Sequence, residues 1–405
     1  MVAELLAPAG GLDRLKWAVA YGADAVYFGI EEFSLRSFAG NFSLEDAQEG
    51  LDYLHQRGRR GYVTLNIYPF SDEYDGLKQA AQTLDEMGAD ALIVSDLGVI
   101  CELNKLNLRV PLHISTQANT VSYQSVLAYK EFGAKRVNLA RELSLTQIQD
   151  IQQNLQGKDI ETEVFIHGSV CFSYSGRCAI SDYLTGRRAN RGECTQPCRW
   201  GYSLMEEQRP GEYFPVYEDE RGLHFFNSKD LALFPYIHEL VASGVASLKI
   251  EGRMKNAHYL AAVLSVYRRI LDGEAVHEDE AWRLLHRVDN RGFSSGFMKG
   301  EISADDYKTQ AGKYMSTSVW VANTTEKLQD DYRICEIKNS IIAGEQLEML
   351  TPDGKISTLT LPSQLMTVDG RSVERANNQD FVLLDKQLPP YSILRRLTLN
   401  AIEGI

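Results

Sequence analysis

The chain reads as α/β: a (β/α)8 barrel of the TIM type, followed by a small C-terminal antiparallel β-barrel domain. Three observations predict it. First, one junction recurs in YGADAVYF (21–28), MGADALIV (87–94), FGAKRVNL (132–139) and SGVASLKI (243–250), with RGRRGYVTLNI (57–67) a looser copy. In each, a glycine ends a helical pattern and a β-rich run begins within ~2 to 4 residues, the αβ connection of a parallel sheet. Second, the apolar runs number eight: 4–7, 25–28, 62–67, 91–95, 112–115, 136–139, 163–166 and 247–250. Third, helical patterns separate successive runs, and no GxGxxG turn follows the first, which favours a closed barrel over a doubly wound open sheet.

Taken in order, the helical patterns are LDRLKWAVAYG, LEDAQEGLDYLHQRG, LKQAAQTLDEMG, VICELNKL, YQSVLAYKEFG and LTQIQDIQQNL. The seventh unit is abnormal. After run 163–166 the chain enters an insertion spanning about 169–228, far longer than the usual βα loop. Within it, YSLMEEQRPGEYFPVYEDERGLHFFN reads as two extended segments around a polar, turn-rich loop. DLALFPYIHELVASG (230–244) then reads as the delayed seventh helix. AHYLAAVLSVYRRILDG and a helix around 278–288 follow the eighth run. NRGFSSGFMKG and the polar stretch 301–313 mark a boundary, placing a barrel domain at 1–305 and a β domain at 306–405. Beyond it SVWVANT, YRICEIK, EQLEMLTPDG, STLTLP and FVLLDKQLPP have the near-alternating character of short antiparallel strands.

Composition bounds the function. At 405 residues, 44% hydrophobic and 24% charged, the chain has the makeup of a globular protein with a sizeable core. Its N-terminus lacks the basic and apolar regions of a signal peptide, and no run of ~18 apolar residues appears, so a cytoplasmic protein without a membrane span is expected. Six cysteines in such a chain argue against a disulfide scaffold. A net charge of -13 argues against non-specific coating of nucleic acid, although a local basic patch can still bind it.

Four of the six cysteines, Cys171, Cys178, Cys194 and Cys198, lie in CFSYSGRCAISDYLTGRRANRGECTQPCRW (171–200), spaced C-x6-C-x15-C-x3-C. Five arginines share this segment with two acids, Asp182 and Glu193, for a local net charge of +3. Positive neighbours favour thiolates, and gathered thiolates favour a metal or cluster. Only the second pair approaches the spacing of structural zinc sites, so iron is favoured over zinc. Redox-active thiols and buried structural cysteines remain open. Cys101 and Cys335 read as apolar fillers. Arg187, Arg188, Arg191 and Tyr174 are the candidate nucleic-acid contacts, with Trp200 either a further stacking side chain or part of the core.

Long βα loops sit at the C-terminal face of a barrel, where such folds keep their chemistry, so the cysteines are expected over the mouth. Polar residues at the carboxyl ends of the strands form the second constellation. His167, Arg141 and Glu251 are the candidates for catalysis. Arg36, Asn66, His113, Gln117, Asn119, Lys249 and Arg253 are the candidates for binding substrate, the arginines through bidentate bonds to carboxylate or phosphate. IHGSVC (166–171) invites a hydrolase reading, but it lacks the GxSxG elbow.

Several motifs in order give the chain a family likeness: ELLAPAG, YGADAVYFG, FSLRSFAGNF, LIVSDLGV, HISTQAN, LARELSL, EVFIHGSVCFSYSGRC, RGECTQPCRW, FNSKDL and SLKIEGRMK. Together they resemble peptidase family U32, over nearly the whole barrel and into NRGFSSGF, and the final β module also looks like that family's C-terminal domain. The resemblance implies an oxygen-independent hydroxylation protein with a 4Fe–4S cluster on Cys171, Cys178, Cys194 and Cys198. The family's branches act on transfer RNA, ribosomal RNA or a ubiquinone precursor. RGECTQPCRW, EEQRPGEYFPVYEDERG and the single compact C-terminal module are most similar to the transfer RNA branch. That implies hydroxylation of the wobble uridine at carbon 5, with prephenate as hydroxyl source and the tRNA anticodon loop as partner. Prephenate carries two carboxylates, for which Arg36, Arg141 and Arg253 are the candidates. A homo- or heterodimer with a related U32 protein, a scaffold whose partner does the chemistry, and a collagenase-like hydrolase are the readings this leaves open.

Overall fold

The recurring glycine junctions build a closed ring of parallel strands. The computed structural model describes residues 3–34, 41–170, 180–187, 193–197, 204–205, 213–214, 217–219, 222–224, 227–300, 307–308 and 314–398. Seven strands pair in parallel in chain order: β1 (Glu4–Pro8), β2 (Ala25–Gly29), β3 (Arg60–Thr64), β4 (Ala91–Val94), β5 (Leu112–Ile114), β6 (Ala134–Asn138) and β7 (Glu161–Gly168). A short strand, β8 (Asp230–Ala232), is an antiparallel addition to β7. β9 (Ser247–Ile250) pairs with β7 on one side and β1 on the other, which closes an eight-strand barrel.

Helices α1 (Leu12–Ala20), α2 (Leu44–His55), α3 (Tyr74–Glu86), α4 (Leu97–Asn104), α5 (Tyr123–Glu131) and α6 (Leu145–Asn154) lie between the first seven strands. Their limits follow local chemistry. Ser43 and Asp96 accept the amides of Asp46 and Val99 as N-caps, and Ser144 with Gln147 forms a capping box. At the far ends Gly133 (φ 91°) and Gly22 (φ 85°) adopt the left-handed conformation that stops a helix and turns the chain into the next strand.

The barrel interior is divided by chemistry. Leu6, Ala25, Tyr27, Tyr62, Ala91 and Ile93, from β1 to β4, form a buried apolar cluster. The other side holds charges. Arg136 donates to Glu4 at 2.6 Å and lies 3.6 Å from Glu163, while Lys249 donates to Glu163 at 2.8 Å. Tyr62 Oη and Ser247 Oγ also donate to Glu4, at 2.7 and 3.1 Å, and Arg60 pairs with it from the rim. Two buried cations thus face two buried anions, the pairing that makes burial of charge tolerable. Burial works most strongly against the Arg136 charge, yet Glu4, Glu163, Tyr62 and Glu161 together push its pKa up.

The seventh unit differs from its expected form. DLALFPYIHELVASG is helical only over α8 (Ile237–Ser243); its first residues are β8, followed by a 3-10 turn at Phe234–Tyr236. β8 is held by pairing to β7 and to β10 (Phe293–Ser294), and Pro235 falls inside the 3-10 turn that starts the helix. In the insertion, Leu204–Met205 pairs with Tyr213–Phe214 and Tyr217–Asp219 with Gly222–His224, so where the pattern predicts two extended segments around one loop the described residues form four short strands in two pairs. A six-residue helix, α7 (Ile180–Thr185), precedes them.

By internal contacts the chain divides into two units. One is residues 1–19, 23–254 and 291–314; the other is 20–22, 255–290 and 315–405. The second unit contains α9 (Ala257–Leu271), α10 (Glu278–His286) and an eight-stranded antiparallel sheet, the β domain expected at the C-terminus. Its apolar core gathers Val321, Ile337, Leu347, Leu365, Val382 and Leu394, together with Cys335. Cys335 is a buried filler, its thiol pushed up to about 12 by burial; Cys101 is half-buried on α4. The fully buried Arg395 bonds Glu348 at 2.8 Å and lies 3.5 Å from His258 Nε2. Among the described residues no helix is long and apolar enough to cross a membrane.

Candidate active site at the barrel mouth

The carboxyl ends of the strands set polar side chains in three groups. On β3 to β5, Gln117 Oε1 accepts three hydrogen bonds: from Asn66 Nδ2 at 2.9 Å, Ser95 Oγ at 2.8 Å and Ser115 Oγ at 3.2 Å. Tyr68 Oη donates to the Gln117 carbonyl at 2.9 Å. The 3-10 turn Thr116–Ala118 ends at Asn119, left-handed at φ 52°, whose Oδ1 is buried without a hydrogen-bond partner among the described residues. This is an amide cradle whose orientation is fixed from three strands.

The second group is centred on Arg253, 5% exposed. Its Nη1 donates to Ser34 Oγ at 2.8 Å and Thr64 Oγ1 at 3.4 Å, and its Nη2 to Asn41 Oδ1 at 2.6 Å. These acceptors are neutral, and together they fix the orientation of the guanidinium. The arrangement needs glycine at β2's end: a Cβ on Gly29 would lie 2.2 Å from Ser34 Oγ and 2.4 Å from Arg253 Nη2. Ser34 and Asn41 flank the stretch containing Arg36, which lies outside the described residues.

The third group lies where β7 meets β9. His167 is 1% exposed, opposite Ile250 in the strand register, with its ring 5.6 Å from that of Phe293. The buried Glu251 donates its backbone N–H to the His167 carbonyl at 2.8 Å. Gly168 (φ 109°) lets the two chains approach: a Cβ there would be 2.6 Å from the Glu251 carbonyl oxygen. Arg141 reaches the same corner, donating to the Ser169 carbonyl at 3.0 Å with its guanidinium carbon 4.1 Å from the Phe165 ring centre. Two residues that the sequence reading did not single out complete it. Asp230 on β8 accepts Arg291 Nη2 at 2.6 Å and the Arg291 amide at 3.2 Å, and Ser169 Oγ donates to it at 3.4 Å. Both sit in quoted motifs, FNSKDL and NRGF, and that was the signal available for them.

Two candidates sit deeper. Lys249 is paired with Glu163 inside the barrel, 4.4 Å from the Tyr27 ring centre. His113 stacks edge-on to Tyr62, and its pKa is well below the usual 6.5, first from burial and then from Arg136, Lys249 and Arg60. At physiological pH it is therefore neutral, a hydrogen-bonding group rather than a cation.

Of the four clustered cysteines, Cys171, Cys178 and Cys198 lie outside the described residues, as do Tyr174, Arg188, Arg191 and Trp200. Cys194 is exposed, and its Sγ accepts the Gln196 amide at 3.4 Å, made possible by Gln196 at φ 57°. An amide aimed at sulfur favours the thiolate, the form that binds a soft metal, so this cysteine fits the role of a ligand. Among the described residues no group of three or more histidines, cysteines or carboxylates is arranged to hold a metal. Arg187 is exposed, seven residues before Cys194.

A closed (β/α)8 barrel with cationic and amide groups at its mouth and an oversized cysteine-bearing loop after β7 defines a barrel protein with a solvent-shielded polar site. The chain belongs to peptidase family U32: the family's profile matches residues 10–308, and that of the peptidase family U32 C-terminal domain matches residues 318–395. It is 35% identical over 398 residues to tRNA hydroxylation protein P of Escherichia coli, covering 87% of each chain. To tRNA hydroxylation protein P1 of Bacillus subtilis it is 34% identical over 403 residues, covering 97% of this chain and 94% of that one. It is also 30% identical over 313 residues to a protein of Porphyromonas gingivalis named Collagenase, covering 74% of each.

Proposed function

We propose that this chain is a tRNA hydroxylase. It places a hydroxyl on carbon 5 of the wobble uridine without molecular oxygen, with prephenate as the hydroxyl source and a 4Fe–4S cluster held by Cys171, Cys178, Cys194 and Cys198. The observation that carries this reading is likeness over nearly the whole length to two proteins named for tRNA hydroxylation. The mouth supports it. Arg253, oriented by Ser34, Thr64 and Asn41, and Arg141, anchored on Ser169, are set to hold two carboxylates. Gln117 Oε1 is fully used by its three donors, which leaves Nε2 as a donor toward a carbonyl of the base. A uridine reaches this depth only if splayed out of the anticodon loop, as single-stranded bases are. When bound, the cluster supplies electron transfer or Lewis-acid polarisation beside the mouth.

The deciding experiment is mass spectrometry of tRNA nucleosides from a strain lacking this gene and any redundant pathway. Loss of 5-oxygenated wobble uridine, restored by the wild-type chain and not by Cys194→Ala, is expected; an unchanged nucleoside profile rejects the function. Anaerobically purified protein should be brown, with iron and acid-labile sulfide. A colourless zinc protein sinks the cluster. The Collagenase relative favours a second reading, peptide hydrolysis. Collagen cleavage by the metal-free chain, with no change in tRNA, would establish it instead.

A further inference from the structure

Helix α7 (Ile180–Thr185), between the second and third clustered cysteines, turns its apolar side chains outward. Tyr183 is 88% exposed, the most exposed large hydrophobic side chain among the described residues, and Ile180 and Leu184 are 39% and 41% exposed. The hydroxyls of Ser181 and Thr185 face inward instead, while Asp182 is exposed beside Tyr183. Ser181 Oγ accepts the Thr195 amide at 3.1 Å and lies 3.1 Å from Thr195 Oγ1, and Thr185 Oγ1 is 3.3 Å from the same hydroxyl. This staple fixes α7 against the turn that carries Cys194. The exposed tyrosine is therefore held at a defined place beside a cluster ligand, with Arg187 exposed four residues further on.

An amphipathic helix in isolation would bury the tyrosine and show the serine; here the reverse holds. A phenol ring held in water offers a π-face to whatever docks, and a base is the group that gains most from such a face next to a cation. The charge selects the partner. The arginines of 171–200 exceed its acids by three in a chain of -13, an excess of cation that outlasts the roughly two negative charges of a bound 4Fe–4S cluster and draws a polyanion. A two-fold contact with a second copy would set the same positive patch against itself.

We propose that Tyr183 is a stacking platform for an unpaired base of the bound RNA, with Arg187 beside the neighbouring phosphate. This rests on the tRNA reading above and deepens it, assigning one RNA contact to the outer face of α7. Stacking on a single aromatic implies that Tyr183→Ala weakens binding by about 5- to 100-fold, whereas Tyr183→Phe, which keeps the face, stays near wild type.

The test uses the full-length, anaerobically purified chain and a fluorescein-labelled anticodon stem-loop with uridine at the wobble position, titrated at several salt concentrations. Tyr183→Ala and Tyr183→Leu should both weaken binding while the visible absorbance of the cluster persists. Arg187→Gln should lower the salt dependence by about one phosphate contact. Wild-type binding that Tyr183→Ala leaves unchanged overturns the proposal, as does a Tyr183→Leu chain that binds like wild type, since leucine keeps the apolar bulk without the ring. Conversion of a wild-type dimer to monomer by Tyr183→Ala, with RNA binding intact, overturns it in favour of a second copy. A wild-type chain that binds no stem-loop overturns the tRNA reading itself, and the proposal with it.

Discussion

One carbonyl oxygen, Gln117 Oε1, collects the Asn66 amide and the Ser95 and Ser115 hydroxyls, so replacing it strands three donors at once. Gln117→Leu is expected to cost about 2–4 kcal/mol, the penalty for buried groups left unsatisfied, read as a lowered urea midpoint. Gln117→Glu keeps an acceptor for all three donors but replaces the Nε2–H2 donor by oxygen. It should retain most of the stability and lose hydroxylation turnover, a split that a purely structural glutamine would not give. Much of this residue-level arrangement was legible in the sequence. Asn66, Gln117, Arg253 and Glu251 each follow a strand within a few residues, and the carboxyl ends of barrel strands converge on the mouth. Depth was not legible. Lys249 lies within β9, opposite Leu6 of β1, where it meets Glu163 from the neighbouring strand β7. A linear pattern gives the side of a strand but not the layer of the barrel.

At the scale of elements, the long insertion is tied at both ends to one carboxylate. Ser169, two residues before Cys171, and Arg291, beside β10, both donate to Asp230 Oδ1 on β8, where the chain re-enters the barrel. Arg291→Ala would take the cation of this buried ion pair away from Asp230, which costs about 3–5 kcal/mol where such a pair is broken from one side. The loss should be felt first at the insertion. Limited proteolysis is expected to cut faster within 171–228, and iron content to fall, while far-ultraviolet circular dichroism of the barrel is kept. Equal cleavage of Arg291→Ala and wild type would deny the clasp. Sequence patterning made the insertion visible by its length, but read 230–244 as one helix. β8 is too short for a period to show, and its strand form depends on β7 and β10, distant partners that no local window contains.

At the scale of the molecule, each unit has a buried histidine that burial holds neutral: His113 in the barrel, where His167 is buried as well, and His258 in the unit that holds the C-terminal sheet. The barrel itself was legible because its evidence repeats, junction after junction, whereas the grouping of α9 and α10 with the C-terminal sheet is a long-range fact that no repeat announces. The two histidines predict a pH response common to both units. Burial holds each pKa well below 6.5, with Arg136, Lys249 and Arg60 adding to the effect at His113 and Arg395 at His258. Below about pH 6.5 the unfolded chain therefore binds protons that the folded one refuses, so stability falls as pH drops, by up to about 1.4 kcal/mol per pH unit for each histidine; above that pH the contribution is constant. His286, also lowered by burial, acts in the same direction in the second unit. Hydrogen exchange from pH 5 to 8, resolved for the barrel strands and the C-terminal sheet separately, measures this. His113→Gln should flatten the acid loss in the barrel strands and leave that of the sheet, and His258→Gln should do the converse. Protection that rises on acidification through this window would contradict the assignment of both as buried and neutral.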